Sequence, residues 1–126
     1  MDIIQVAQDL IRFRSETGNA KEINQVMDYI KILFAGTDAR IDVFDEVAGA
    51  PVIFIRNTDS EAFDALILGH IDVVAASEEM FTPQIRDGKM YGRGTLDMKS
   101  FAAVALNSME HVLKNKLPIK FGEILS

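Results

Sequence analysis

Two short segments place potential metal ligands next to predicted secondary structure. His70 directly follows the apolar run 65–68, and Asp97 comes just before a helical pattern of apolar residues. Imidazole and carboxylate groups both bind zinc, but zinc normally takes about four donors. We therefore expect His70 and Asp97 to be ligands of a metal site that needs further donors.

Asp72 is a candidate catalytic residue that acts through His70. It lies two positions after His70, so in an extended segment both side chains point to the same face. Its carboxylate could accept a hydrogen bond from the imidazole nitrogen that does not bind the metal, which would fix the tautomer of the ligand. A simple hydrogen-bonded pair without a metal is the commoner interpretation of such a tripeptide taken alone.

Other polar residues near these segments have both structural and functional interpretations. Asp97 could be an ordinary helix N-cap, with Thr95 as the rival cap. Arg93 and Lys99 could bind an anionic substrate, although such residues are more often solvated charges or partners of a carboxylate. His111 is isolated in the sequence, and we expect it at the surface or boundary of the protein.

The composition limits the classes of partner and site. A chain of 126 residues with 48% hydrophobic and 25% charged residues is typical of a globular domain with a real core. The net charge of -6, without a basic patch, argues against a nucleic-acid partner. The absence of cysteine excludes disulfides and thiolate sites. No segment resembles a signal peptide or reaches the roughly 18 apolar residues of a membrane span, so we expect a cytoplasmic protein without a membrane partner.

Helices and strands alternate along the chain. Apolar spacing predicts helices at 3–13, from a cap at Asn19 to Gly36, and from Asp97 or Met98 to 114. Short apolar runs predict strands at 41–47, 52–55, 65–68 and 119–125, and Asp87-Gly88 predicts a hairpin. This order is typical of an α/β fold with a mostly parallel mixed sheet flanked by helices and covered on both faces. No linker or repeat divides residues 1–126.

The two segments together resemble a known family. Gly-His-Ile-Asp-Val-Val at 69–74 and Tyr-Gly-Arg-Gly-Thr-Leu-Asp-Met-Lys at 91–99 are similar to motifs of the M20 zinc peptidases and deacylases, such as acetylornithine deacetylase and succinyl-diaminopimelate desuccinylase. The resemblance implies that His70 binds one metal, that Asp97 bridges two metals and that Asp72 orients His70. It also implies a cis peptide bond between Asp97 and Met98.

The resemblance further implies an activity. Members of the family hydrolyse amide bonds of N-acyl amino acids or small peptides, usually with two zinc ions, for which cobalt can substitute, and an inserted lid domain carries homodimer contacts. In the family, the glutamates that serve as general base and ligand follow the strand that is 119–125 here. We therefore expect residues 1–126 to be the N-terminal portion of a catalytic domain, inactive by itself and binding zinc weakly or not at all.

Two other functions fit the same residues. A non-catalytic α/β interaction module could retain the motif, and both sides of its last strand should then be covered. In a fragment of an enzyme, that strand should instead have an exposed apolar edge. A magnesium site at Asp72 and Asp97 is a further alternative, although His70 favours zinc over magnesium.

Overall fold

The computed structural model describes residues 1–47 and 50–126, in which three α-helices and six strands are formed. The helices are α1 (Ile3–Arg12), α2 (Ala20–Leu33) and α3 (Ser100–Lys114), and the strands are β1 (Arg40–Phe44), β2 (Val52–Arg56), β3 (Ala65–Gly69), β4 (Gln84–Arg86), β5 (Lys89–Tyr91) and β6 (Phe121–Leu125). A 3-10 turn spans Glu78–Phe81, and an irregular turn with non-helical backbone angles at Asp97 and Met98 spans Thr95–Lys99. Each predicted helix and strand is present, with ends shifted by a few residues.

Local sequence signals start the first two helices. The Asp2 carboxylate accepts a hydrogen bond from the backbone N–H of Ile4 at 2.9 Å, and the Asn19 side chain accepts one from that of Glu22 at 3.4 Å. Apolar residues three and four apart form the buried faces: Val6, Ala7, Leu10 and Ile11 in α1, and Ile23, Val26, Met27 and Ile30 in α2. None of the described helices has the length and apolarity needed to cross a lipid bilayer.

The main sheet has the strand order β1-β2-β6-β3. The β1–β2 and β2–β6 pairs are antiparallel, whereas β3 and β6 are parallel. The predicted mixed sheet of an α/β fold is confirmed, but the sheet is not mostly parallel as predicted, because in the described ranges only β3 and β6 pair in parallel. The exposed edge predicted for the last strand is wrong, because β6 is hydrogen-bonded on both sides, by β2 and by β3.

The helices cover one face of this sheet. Ile53, Ile55 and Leu125 are fully buried on that face, in one core with residues of all three helices. On the opposite face, Leu66 and Leu68 of β3 are 44% and 65% exposed. The sequence predicts that both faces of the sheet are covered, but within residues 1–47 and 50–126 only one face is.

The segment that carries Asp97 follows the predicted hairpin. Strands β4 and β5 are joined by Asp87 and Gly88, which have φ values of 51° and 71°, as a primed two-residue turn requires. Gly94 has a φ of 86°, and a Cβ there would lie 2.9 Å from the Val73 side chain. Only glycine therefore fits at this position. The Asp97-Met98 peptide bond is cis, as the family resemblance implied.

Candidate metal centre

His70 and Asp97 meet at the carboxyl end of β3. His70 directly follows this strand, and the parallel neighbour β6 ends on the same side of the sheet. Asp97 lies in the irregular turn Thr95–Lys99 that leads into α3. His70 Nε2 and Asp97 Oδ1 are 3.1 Å apart, and the two side chains are 37% and 82% exposed. The pair is therefore open to a ligand from solvent.

The helix-cap interpretation of Asp97 and Thr95 is wrong. Asp97 has φ and ψ angles of -133° and 98°, and the cap position of α3 is occupied by Lys99. The Thr95 hydroxyl donates a hydrogen bond to the Gly92 carbonyl at 2.9 Å. The Asp97 carboxylate thus faces His70 and is not used to start the helix.

The surroundings of His70 define which ring nitrogen carries the proton. Nδ1 lies 3.0 Å from the Asp72 carbonyl oxygen and 3.2 Å from Asp72 Oδ1. Because both neighbours are acceptors, Nδ1 must be the N–H donor, and Nε2 of the neutral ring then has a lone pair. That lone pair faces the Asp97 carboxylate, which is also an acceptor. Two acceptors at 3.1 Å are compatible only if a proton or another cation lies between them.

The donor types and their separation fit zinc. Zinc lies about 2.0–2.2 Å from nitrogen and oxygen ligands, so two atoms 3.1 Å apart can share one ion. No cluster of three or more His, Cys, Asp or Glu side chains that could hold a metal exists among the described residues. These residues therefore supply two donors, and the roles of His70 and Asp97 as ligands and of Asp72 as a catalytic residue stay predictions.

A cavity of about 290 Å³ lies over the pair. Its lining includes Thr17, Asp72 and Arg93 together with His70 and Asp97. Arg93 Nε is buried and has no hydrogen-bond partner in residues 1–47 and 50–126. A guanidinium in the lining, whose Nε has no partner in these residues, is compatible with the predicted binding of an anionic substrate, which stays a prediction.

The loop between α1 and α2 contributes contacts that the sequence analysis missed. The Thr17 hydroxyl donates a hydrogen bond to Asp72 Oδ2 at 2.6 Å, and the buried Ser15 hydroxyl donates one to the Ile71 carbonyl at 2.7 Å. In the sequence, this segment is recognisable only as a break between helices. The two hydroxyl side chains are the only sign in this loop of a link to the site. Their partners cannot be recognised from the sequence, because they lie more than 50 residues away.

Lys99 is buried and has a structural role. Its Nζ donates hydrogen bonds to the carbonyls of Leu10 and Phe13, each at 2.8 Å, at the negative end of the α1 dipole. Burial lowers the pKa of Lys99 to about 8. Two of the sequence-based interpretations of Lys99, as an anion-binding residue and as a solvated charge, are wrong, whereas the carboxylates of Glu22 and Asp72 do raise its pKa against the effect of burial. The residue instead ties the turn that carries Asp97 to the end of α1.

His111 is exposed on α3, as the sequence predicts. Its Nδ1 lies 3.1 Å from the side-chain nitrogen of Asn115, one helical turn further along. It does not line the cavity over His70 and Asp97. His111 therefore takes no part in the candidate metal centre.

Sequence comparisons relate the chain to a known peptidase family. Residues 66–122 match the family model described as Peptidase family M20/M25/M40. The chain is 31% identical over 125 residues to a succinyl-diaminopimelate desuccinylase of Wolbachia pipientis wMel, a match that covers 92% of this chain and 30% of the relative. It is 32% identical over 111 residues to the N-fatty-acyl-amino acid synthase/hydrolase PM20D1 of Xenopus tropicalis, covering 82% of this chain and 22% of the relative. The chain thus spans less than a third of the length of these proteins.

Solved structures share the fold. Human carnosine dipeptidase 1 has a TM-score of 0.81 and 19% identity, with 98% of this chain and 31% of that chain covered. The M20 family metallo-carboxypeptidase Sso-CP2 from Sulfolobus solfataricus has a TM-score of 0.74 and 21% identity, with 100% of this chain and 31% of that chain covered. At these identities, the likeness confirms the α/β architecture and its connectivity.

Proposed function

Because the chain belongs to the M20/M25/M40 peptidase family, we propose that it is part of the catalytic domain of a zinc-dependent hydrolase that cleaves amide bonds of N-acyl amino acids or small peptides. The names of two relatives refer to succinyl and fatty-acyl groups, which supports an acylated amino compound as substrate. The net charge of -6 supports a small-molecule substrate over a nucleic acid.

The observation that carries this proposal is the approach of two acceptors in the candidate metal centre. His70 Nε2 and Asp97 Oδ1 face each other at 3.1 Å, while the Nδ1 side of the ring is already occupied by Asp72. A divalent cation would replace the repulsion between the two acceptors with attraction to both. The absence of cysteine leaves imidazole and carboxylate as the available ligands, and that pair favours zinc over magnesium.

Each residue has a separate task in the proposed site. His70 and Asp97 would hold zinc, and the family resemblance predicts that Asp97 bridges two ions. Asp72 accepts a hydrogen bond from the Nδ1–H of His70 and so keeps the Nε2 lone pair available, which is how a predicted catalytic residue can act without touching the substrate. When bound, zinc lowers the pKa of a coordinated water towards neutrality and polarises a substrate carbonyl.

We also infer that the 126-residue chain does not turn over substrate by itself. The described residues bring only His70 and Asp97 to the proposed site, and a catalytic zinc site usually has three protein ligands. Release of acyl groups from an N-acetyl amino acid faster than in a zinc-only control would contradict this inference. Homodimerisation of the intact protein is a further proposal that rests on the resemblance, and a cytoplasmic location is one that the lack of cysteine supports.

Zinc titration of the chain, followed by calorimetry and by NMR of the histidine side chains, tests the metal assignment. The chain has two histidines, so His111 is a matched control for His70. We expect zinc to shift the imidazole signals of His70 only. His70→Ala should abolish binding and Asp97→Asn should weaken it, whereas His111→Ala should leave it unchanged. Equal zinc affinity in His70→Ala and the parent chain would contradict the proposal.

A non-catalytic α/β module is the second candidate function. The observation in its favour is that β6 is paired on both sides, as expected of a self-contained module. The exposed Leu66 and Leu68 beside β6 favour the enzyme instead, because they leave apolar surface of the sheet uncovered in the described residues. The His70→Ala titration separates the two, since an interaction module has no need for zinc at His70.

A further inference from the structure

The loop between α1 and α2 holds the segment that carries Asp72. Within this loop, the backbone N–H of Thr17 donates to the Val73 carbonyl at 2.9 Å, and the backbone N–H of Val73 donates to the Ser15 carbonyl at 2.9 Å. The Ser15 hydroxyl adds a buried hydrogen bond to the Ile71 carbonyl at 2.7 Å. The backbone is therefore fixed on both sides of Asp72.

The two carboxylate oxygens of Asp72 have different partners. Oδ2 accepts the hydrogen bond from the Thr17 hydroxyl at 2.6 Å, and Oδ1 lies 3.2 Å from His70 Nδ1. The Thr17 hydroxyl also lies 3.4 Å from the Val73 carbonyl, which is too long to compete for its single proton. Hydrogen bonds from a hydroxyl to a carboxylate at this distance are charge-assisted and strong. Thr17 thus fixes the rotation of the carboxylate and directs Oδ1 at the imidazole.

We propose that Thr17 is a positioning residue for His70: by holding Asp72, it keeps the proton of the imidazole on Nδ1 and the lone pair of Nε2 directed at Asp97. Without metal, the Asp97 carboxylate, whose side chain is 82% exposed, is free to turn away from Nε2 into solvent, so the tautomer of His70 can be measured in the metal-free chain. The consequence for zinc affinity rests on the proposed function.

The effect should be partial. The backbone carbonyl of Asp72, 3.0 Å from His70 Nδ1, is a second acceptor that remains when Thr17 is replaced. Loss of the Thr17 hydroxyl frees the carboxylate to rotate, so one of the two acceptors of the Nδ1 proton becomes mobile. The tautomers should then mix, without complete reversal.

Long-range ¹H–¹⁵N NMR of the histidine rings measures the tautomers directly. The spectra are recorded without metal at alkaline pH, and the ¹⁵N shifts of the two ring nitrogens distinguish each neutral tautomer from the imidazolium. Three variants are compared with the parent chain: Thr17→Val, which keeps the shape and loses the hydroxyl, Thr17→Ala, and Thr17→Ser, which keeps the hydroxyl. Thr17 is exposed, so these changes should leave the fold intact, and unchanged His111 signals provide the internal control.

We expect the parent chain and Thr17→Ser to have His70 in the Nδ1–H form, and Thr17→Val and Thr17→Ala to show a several-fold increase of the Nε2–H form. Thr17→Val should bind zinc about three to ten times more weakly than the parent chain. This loss is smaller than the roughly 10–100-fold loss that follows removal of a group hydrogen-bonded directly to a metal ligand. The same tautomer ratio in all four proteins, or a parent chain already in the Nε2–H form, would overturn the proposal. A tautomer shift in Thr17→Val with zinc binding indifferent to His70→Ala would uphold the positioning role and overturn the zinc assignment.

Discussion

Lys99 and Glu123 are both completely shielded from solvent, yet the protein accommodates them in different ways. Lys99, below the candidate metal centre, donates two hydrogen bonds of 2.8 Å to backbone carbonyls. Glu123, in the inner strand β6, lies between Ile55 and Ile67 of the adjacent strands, and neither carboxylate oxygen has a well-formed hydrogen bond in the described residues, although the effect of burial on its pKa is opposed in part by the Met109 backbone.

Burial changes the two pKa values in opposite directions. It lowers the pKa of Lys99 from 10.5 to about 8 and raises the pKa of Glu123 from 4.5 to about 8. At pH 7 Lys99 is therefore mostly charged and held by carbonyl oxygens, whereas Glu123 is mostly neutral. Near the candidate site, the protein thus stabilises a buried charged group with hydrogen bonds. In the centre of the sheet, it keeps a buried carboxyl group neutral.

The largest expected effect is that of Lys99→Met. Methionine keeps the length of the side chain but leaves the carbonyls of Leu10 and Phe13 without their donor, so we expect a loss of about 3 kcal/mol in the free energy of unfolding. Urea denaturation at pH 7 measures it. The exposed Lys114→Met is the matched control, with an expected change within about 0.5 kcal/mol. Equal stability of the two variants would show that the hydrogen bonds of Lys99 contribute nothing.

The next effect is the dependence of stability on pH through Glu123. The folded state keeps this proton up to about pH 8, and the unfolded chain loses it near pH 4.5, so the folded state binds more protons between these values. The stabilisation is complete below pH 4.5 and is lost as the pH rises towards 8. We expect a loss on the order of 2 kcal/mol from pH 5 to pH 7 in urea denaturation, absent in Glu123→Gln. The exposed Glu46→Gln should retain the full pH dependence.

Glu123→Met tests the neutral form of the same residue. At pH 5 the carboxyl group is protonated but still lacks a hydrogen-bond partner, so an apolar side chain of similar length should stabilise the fold by about 1–2 kcal/mol. Replacement by methionine is thus expected to lower the free energy of unfolding at Lys99 and to raise it at Glu123. Urea denaturation at pH 5 measures the effect. If Glu123→Met were less stable than the parent chain, the carboxyl group would have a hydrogen-bond partner, and Glu123 would not differ from Lys99 in this respect.

Ser15→Ala has the smallest expected effect. Ser15 is the other buried polar residue in the described part of the chain, and its neutral hydrogen bond to the Ile71 carbonyl contributes about 1 kcal/mol to stability. Hydrogen exchange of the Thr17 and Val73 amides should also accelerate, because the loop and the Asp72 segment are joined there. If the exchange rates of these amides did not change, the backbone hydrogen bonds alone would be sufficient to hold this segment.

Features encoded by neighbouring residues were predicted well from the sequence. The cap at Asn19 and the primed turn at Asp87 and Gly88 depend on residues within four positions of each other, and both are present. The approach of His70 to Asp97, 27 residues away, was predictable because each follows or precedes an element recognisable from its apolar pattern, and because their motifs resemble a family. Their functions as ligands remain predictions.

Features that join distant segments were not predictable in the same way. The hydrogen bond of Thr17 to Asp72 spans 55 residues and that of Lys99 to Leu10 spans 89. A lysine or a threonine in a polar loop looks solvated unless the fold is known, because burial is decided by the packing of other elements. Glu123 gave no sign of its burial beyond its place in an apolar strand, and the position of β6 between β2 and β3 follows from the topology alone.

The position of β6 has a consequence for biosynthesis. Strand β6 is made after β2 and β3 but lies between them, so these strands cannot be joined until the nascent chain has been extended to residue 121. At about 5–20 residues per second, roughly fifty residues of synthesis separate β3 from β6 and take several seconds. During this interval, Leu66 and Leu68 belong to an unpaired apolar strand, the kind of segment that chaperones bind.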